Sequence, residues 1–204
     1  MPSHNEHIEF DKRLGVPEGV ARDVHERIDI EGTHDYGRVI IQGYWPISTW
    51  LGEALNYYCE FGSHGLRSWV SHHILDYLEY LRKKGQEVAR RYYARAHDTW
   101  AYIHAHEWVK CVIANIKCDL YLLLGDCESA EKERIKAFSA YEMASISSRP
   151  PMWKVVRDSL EKIKEEVISV AKRVRKEKKI GGEEFMKFLK CLLIAFKDVE
   201  ELIC

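Results

Sequence analysis

Residues 85–125, GQEVARRYYARAHDTWAYIHAHEWVKCVIANIKCDLYLLLG, decide how this chain is folded. Between the two glycines lie 39 residues without glycine or proline, the residues that most often end a helix. As one helix the stretch far exceeds the usual length of about 11–12 residues. As two, it turns at His97-Asp98-Thr99, where Asp98 or Thr99 offers a side-chain oxygen to cap a new helix. A turn there brings three glycine corners, Gly85, Gly125 and Gly181, to one end of a bundle; without it, Gly85 and Gly181 fall at opposite ends. The later part of the stretch is apolar on two sides. Val109, Ile113, Ile116, Leu120 and Leu123 form one stripe, and Trp108, Cys111, Cys118 and Leu122 lie nearly opposite. Such a helix belongs at the centre of a bundle.

Working outward, each glycine corner separates two helical patterns, which predicts three αα-hairpins. After Pro150-Pro151, the set Trp153, Val156, Leu160, Ile163, Val167, Val170, Val174 is answered across Gly181-Gly182 by Phe185, Leu189, Leu192, Phe196, Val199, Ile203. Two such seams predict an antiparallel, coiled-coil-like pair. Upstream, Ser48 caps a helix to about Phe61, Gly62 breaks it, and Ser63 or Gly65 opens another to Lys84. Residues 1–16 read as a polar arm, and 17–47 as a short helix (Pro17, Val20, Val24, Ile28, ending at Gly32) plus an extended linker. The expected fold is therefore all-α: a bundle or short solenoid of three αα-hairpins. A helical core spans 48–148 and a C-terminal antiparallel hairpin spans 149–204.

Composition sets the class. The 204 residues are 46% hydrophobic and 31% charged, as in a water-soluble globular protein. The longest apolar run, Leu120–Leu124, falls far short of the ~20 residues of a membrane helix. The first residues lack a secretory pattern, so no membrane partner and a cytoplasmic or otherwise intracellular setting are expected. Three asparagines and two glutamines amid abundant Glu, Lys and Arg match the composition of hyperthermophile proteins. Six cysteines fit the disulfide-rich intracellular proteins of hyperthermophilic archaea and bacteria.

Charge is distributed unevenly. Arg82, Lys83, Lys84, Arg90, Arg91 and Arg95 face one acid, Glu87; Lys172, Arg173, Arg175, Lys176, Lys178 and Lys179 face one acid, Glu177. Each stretch is +5, so a chain of net charge −1 carries −11 elsewhere. Such asymmetry is the footprint of a surface that meets phosphate, here a DNA or RNA backbone. Between Arg90 and Trp108 the cations interleave with Tyr92, Tyr93, Trp100 and Tyr102, which suits base stacking.

Two resemblances follow from local motifs. Residues 111–146 resemble a tetratricopeptide-type hairpin in Tyr121, Leu122, Gly125-Asp126, Ala130, Ala137 and Phe138. The family's tryptophan, small leucine and glycine are replaced here by Ala114, Lys117 and Cys118. The resemblance implies a protein-interaction scaffold with a protein partner or self-association. Arg67 with His72, and Arg91 with His97, have the spacing of the Arg-x(4–6)-His motif of HEPN ribonucleases. That resemblance implies an arginine holding phosphate while histidine acts as acid or base on the 2′-hydroxyl.

No motif names a reaction or a cofactor. His97, His104, Cys111 and Cys118 recur every seven residues, but seven residues of helix span about 10.5 Å, too far to share one ion. His104 and Glu107 can share one, with His72 or His73 from a neighbouring helix as a third ligand. His73 otherwise reads as a core histidine among Leu66, Val70, Tyr77 and Leu81. The expected function is a non-enzymatic helical interaction or assembly protein contacting a nucleic-acid backbone. A HEPN-like ribonuclease, a protein-only adaptor and a His-dependent metalloprotein are the alternatives.

Overall fold

The structure, a computed structural model, describes residues 3–30, 47–92, 98–145 and 159–203. All elements among them are helices: α1 (His4–Arg13), α2 (Glu18–Ile30), α3 (Ile47–Tyr92), α4 (Asp98–Leu124), α5 (Cys127–Ser145), α6 (Leu160–Glu177) and α7 (Gly182–Ile203). The all-α expectation holds. Among the described residues, no helix is long and apolar enough to cross a membrane.

Residues 1–16, expected to be an arm, instead contain α1. Ser3 and Glu6 form a reciprocal capping box at its start, and Ile8 and Phe10 are buried. The chain turns at Gly15 (φ 72°) and enters α2 after Pro17, burying Ala21, Val24, His25 and Ile28. The linker expected after α2 lies outside the described residues.

Helix α3 is interrupted at Gly62 (φ 62°, ψ −143°), the break anticipated there. Gly65 is needed in the same kink, because a Cβ would sit 2.6 Å from the Tyr57 carbonyl oxygen and the Phe61 Cβ. The corner expected at Gly85 does not form: α3 continues through it to Tyr92. A lone glycine costs a helix only about 1 kcal/mol, and the packing of Leu78 and Leu81 just before it favours continuation. The chain still reverses before α4, because Arg82 Nη2 lies 3.2 Å from His106 Nε2 although 24 residues separate them. Residues 93–97, between α3 and α4, lie outside the described residues.

Helix α4 is the central element. Every residue from Cys111 to Leu120 is buried, because α3, α5, α6 and α7 surround this segment. Lys117 is buried there with Glu133 at 3.2 Å and Glu200 at 2.5 Å. Gly125 (φ 81°) closes α4, its N–H donating to the Leu122 carbonyl and that of Asp126 to Tyr121, while the Asp126 carboxylate caps α5. Ala130, Ala137 and Ala140 let α5 lie close on α4, but Phe138 is 44% exposed and fills no gap. This departs from the tetratricopeptide pattern.

The α6 and α7 seams do not face each other as a coiled coil. Each packs chiefly on α3 and α4, with Phe188 and Phe196 fully buried. Tyr58 Oη donates to Glu184 at 3.0 Å and Arg67 Nε to Asp198 at 2.8 Å, so α7 runs parallel to this part of α3. The five described cysteines form no disulfide.

Candidate metal centre

Three helices meet where α1, α2 and the middle of α3 cross, and each contributes a His-x-x-x-Asp pair: His7/Asp11, His25/Asp29 and His72/Asp76. An interval of four residues puts both side chains of a pair on one helix face. No other histidine of the ten has an aspartate four residues on.

The three histidines are almost completely enclosed, at 3% (His7), 0% (His25) and 2% (His72) exposure. Their rings lie together: His7 stacks on His72 with centroids 4.5 Å apart, and His25 lies 4.9 Å from His72 and 5.0 Å from His7. One ring nitrogen from each falls within 4.8 Å of the other two.

Each imidazole turns Nε2 toward a carboxylate. His25 Nε2 is 3.0 Å from Asp11 Oδ2, His7 Nε2 is 3.1 Å from Asp76 Oδ1, and His72 Nε2 is 3.4 Å from Asp76 Oδ2. Ser71 Oγ donates to the other oxygen of Asp11. The remaining ring nitrogens have no carboxylate partner among the described residues. His25 Nδ1 and His72 Nδ1 are only 2.7 Å apart, and His7 Nδ1 is buried without a hydrogen-bond partner. Such a contact is made by a proton carried on one of the two nitrogens or by a cation that both face.

A charged imidazolium at His72 is disfavoured. Burial is the largest influence on His72 and pushes its pKa down to about 4, against the opposing pull of Asp76. Burial would raise the Asp76 carboxyl, but hydrogen bonds from His7 and His72 and their proximity outweigh it and hold the group well below the usual carboxylate range. Neutral imidazoles beside ionised carboxylates are the state a metal ion needs.

The donor set suits a divalent transition metal. Three imidazoles are a familiar zinc set, at ~2.0–2.1 Å from the ion, and carboxylates on the distal nitrogens are the usual support. Asp11 and Asp76 supply two negative charges that a divalent ion neutralises inside the protein. The edge nearest solvent holds exposed Asp29, 3.8 Å from His72 Nε2, and half-exposed His4, whose Nδ1 is 3.2 Å from Asp29.

Other residues singled out from the sequence lie elsewhere. His73 is buried beside Trp69, 4.0 Å from Glu53. Glu107 pairs with Lys110 at 2.9 Å, and the His104 side chain lies outside the described residues. Arg67 is bonded to Asp198 while His72 joins the histidine cluster, so this Arg/His pair does not converge. Of the second pair, the Arg91 side chain and His97 lie outside the described residues.

The two basic stretches are not brought together. The α6–α7 turn sits near Tyr58, while Arg82 lies about 22 Å of helix beyond Arg67, toward the other end of the bundle. Helix α3 continues through Gly85 to Tyr92, so no corner at Gly85 brings Arg82 and Lys83 toward the α6–α7 turn. Of the first stretch, Arg82 contacts His106 and Lys83 lies 3.4 Å from Glu79. The side chains of Lys84, Arg90, Arg91 and Arg95 are outside the described residues.

Sequence reading missed His7, His25 and Asp11 because the pairs lie far apart in the chain and the first was assigned to an arm. The available signal was the His-x-x-x-Asp spacing recurring on three segments. Comparison with family models, curated proteins and solved structures finds no match.

Proposed function

We propose that the protein is a helical metalloprotein that holds one divalent transition-metal ion of the zinc class on His7, His25 and His72. The reading rests on one observation: three buried imidazoles from three helices, set beside Asp11 and Asp76, each bring a ring nitrogen within 4.8 Å of the other two. It carries forward the metalloprotein alternative from the sequence, moved from His73, His104 and Glu107 to a different set. Because the ligands come from α1, α2 and α3 and are enclosed, the ion pins the N-terminal helix pair to the bundle. Its role in this reading is to hold structure.

Zinc titration of chelator-treated protein by calorimetry, with metal analysis after dialysis, tests it. Wild type takes up one equivalent, His25→Ala loses it, and Asp76→Asn keeps the stoichiometry with ~10–100-fold weaker affinity, since one carboxylate supports two ligands. Equal metal content in wild type and His25→Ala defeats the reading.

A further inference from the structure

Many surface cations among the described residues have acidic partners. Lys12 lies near Glu9, Arg22 near Glu18, Lys83 near Glu79, Lys110 near Glu107, Lys132 near Glu128 and Arg134 near Glu131, each three or four residues away. Arg27 and Arg67 pair across helices with Glu60 and Asp198. The corner between α6 and α7 gathers cations without such partners.

Lys172, Arg173, Arg175, Lys176, Lys178 and Lys179 are all exposed, and none forms an ion pair among the described residues. The acids nearby in sequence do not neutralise them: Glu177 pairs with none, and Glu184 accepts from Tyr58. The backbone holds the cations in place. Lys179 adopts φ 54°, the one non-glycine residue with positive φ among those described, and Arg175 Nε donates to the Ile180 carbonyl at 3.3 Å. Lys172, Arg175, Lys176 and Lys179, with Ile180, line a shallow recess of about 350 Å³.

The helix dipole accounts for cations in the last turn only. Lys172 and Arg173 lie a turn earlier, and Lys172 and Lys176, four residues apart, form a like-charge pair that costs a helix a few tenths of a kcal/mol. An external polyanion relieves that repulsion. A membrane surface suits the corner poorly, because interfacial helices need an exposed apolar face, whereas Ile163, Val167, Val170 and Val174 of α6 are buried against the bundle.

We propose that the α6–α7 corner contacts the phosphate backbone of a nucleic acid through this unpaired cluster. A cationic helix end about as wide as the major groove can meet phosphates on both of its walls. No base-reading side chain is implied, so binding is independent of sequence.

The experiment measures fluorescence anisotropy of labelled duplex DNA and single-stranded RNA oligonucleotides across about 50–200 mM salt. Wild type binds at the low end, and affinity falls linearly on log–log axes. Lys172→Glu/Lys176→Glu weakens binding more than about tenfold and flattens the slope by about two. Lys172→Gln/Lys176→Gln, which only removes charge, gives an intermediate loss. The duplex and single-strand arms distinguish DNA from RNA as the source of the phosphates. Absence of binding to both nucleic acids at low salt overturns the proposal. So does wild-type affinity in the Lys172→Glu/Lys176→Glu protein, or tighter binding to phosphatidylserine vesicles than to either oligonucleotide.

Discussion

The two polar corners of this bundle handle charge in opposite ways. Where α1, α2 and α3 meet, Asp11 and Asp76 are removed from water, and each is met by imidazole N–H groups. Where α6 turns into α7, six cations stand in water and no carboxylate meets them. The dielectric explains the contrast: an unpaired charge in the interior costs several kcal/mol, while one in water costs almost nothing. Inside, the partner must be built into the fold, so geometry names it. Outside, the partner can be another molecule, and the sign and density of charge describe its class.

The largest expected effect breaks the inner corner. Asp11→Ala leaves His25 Nε2 buried without its carboxylate partner and takes from the Ser71 hydroxyl its charged acceptor, leaving it only the Ser68 carbonyl. An orphaned donor costs ~1–3 kcal/mol and a hydrogen bond to a charged group is worth ~1.5–3 kcal/mol, so metal-free protein loses about 3 kcal/mol. Chemical denaturation read by circular dichroism measures it. Asp23→Ala on the exposed face of α2 serves as the control and stays within about 0.5 kcal/mol. Equal midpoints for the two variants show that the buried network contributes no stability.

Next in size is the pH dependence of the same corner. His72 titrates near 4 in the folded protein against 6.5 for the ordinary side chain, with burial the leading cause. Between those values the unfolded chain binds a proton that the folded chain refuses, so stability rises with pH across this window. The stabilisation is fully present above about pH 6.5 and is lost on acidification toward 4. A shift of this size corresponds to roughly 3 kcal/mol. Asp76, also lowered in the fold, adds a second loss in more acidic solution, with the same sign. Melting temperature measured in chelator between pH 7.5 and 4 gives the curve, and His72→Gln flattens its upper part. A wild-type curve that is flat above pH 4.5 contradicts a neutral, buried His72.

Much of the fold was legible because apolar residues announce burial by their spacing. The two-sided pattern around Val109 and Cys111 placed α4 at the centre, and Gly62 and Gly125 marked a kink and a corner with positive φ. Gly85 misled, since a glycine ends a helix only where packing on either side does not favour continuing it. The seams of α6 and α7 were legible as seams, yet periodicity says which face is buried and not against what. The inner site was hidden for a related reason. Helix α1 docks through His7 and Asp11 as much as through Ile8 and Phe10, and a polar docking face looks like a solvated one until its partners are known.

The smallest expected effect sharpens the comparison from the other side. If the outer corner is tuned for an external partner rather than for the fold, removing its charge leaves stability unchanged or slightly higher. Lys172→Gln/Lys176→Gln eliminates a like-charge pair at four-residue spacing, worth about 0.2–0.5 kcal/mol. Neither side chain makes an ion pair or hydrogen bond among the described residues, so nothing in the native state is given up. Raised salt screens the same repulsion, which makes the gain largest at low ionic strength and absent near 1 M, where the Debye length falls to about 3 Å. Denaturation midpoints of wild type and variant, compared at low and high salt, read this directly. A variant that is less stable than wild type at low salt means that these lysines have partners within the fold, and the contrast between the two corners then fails.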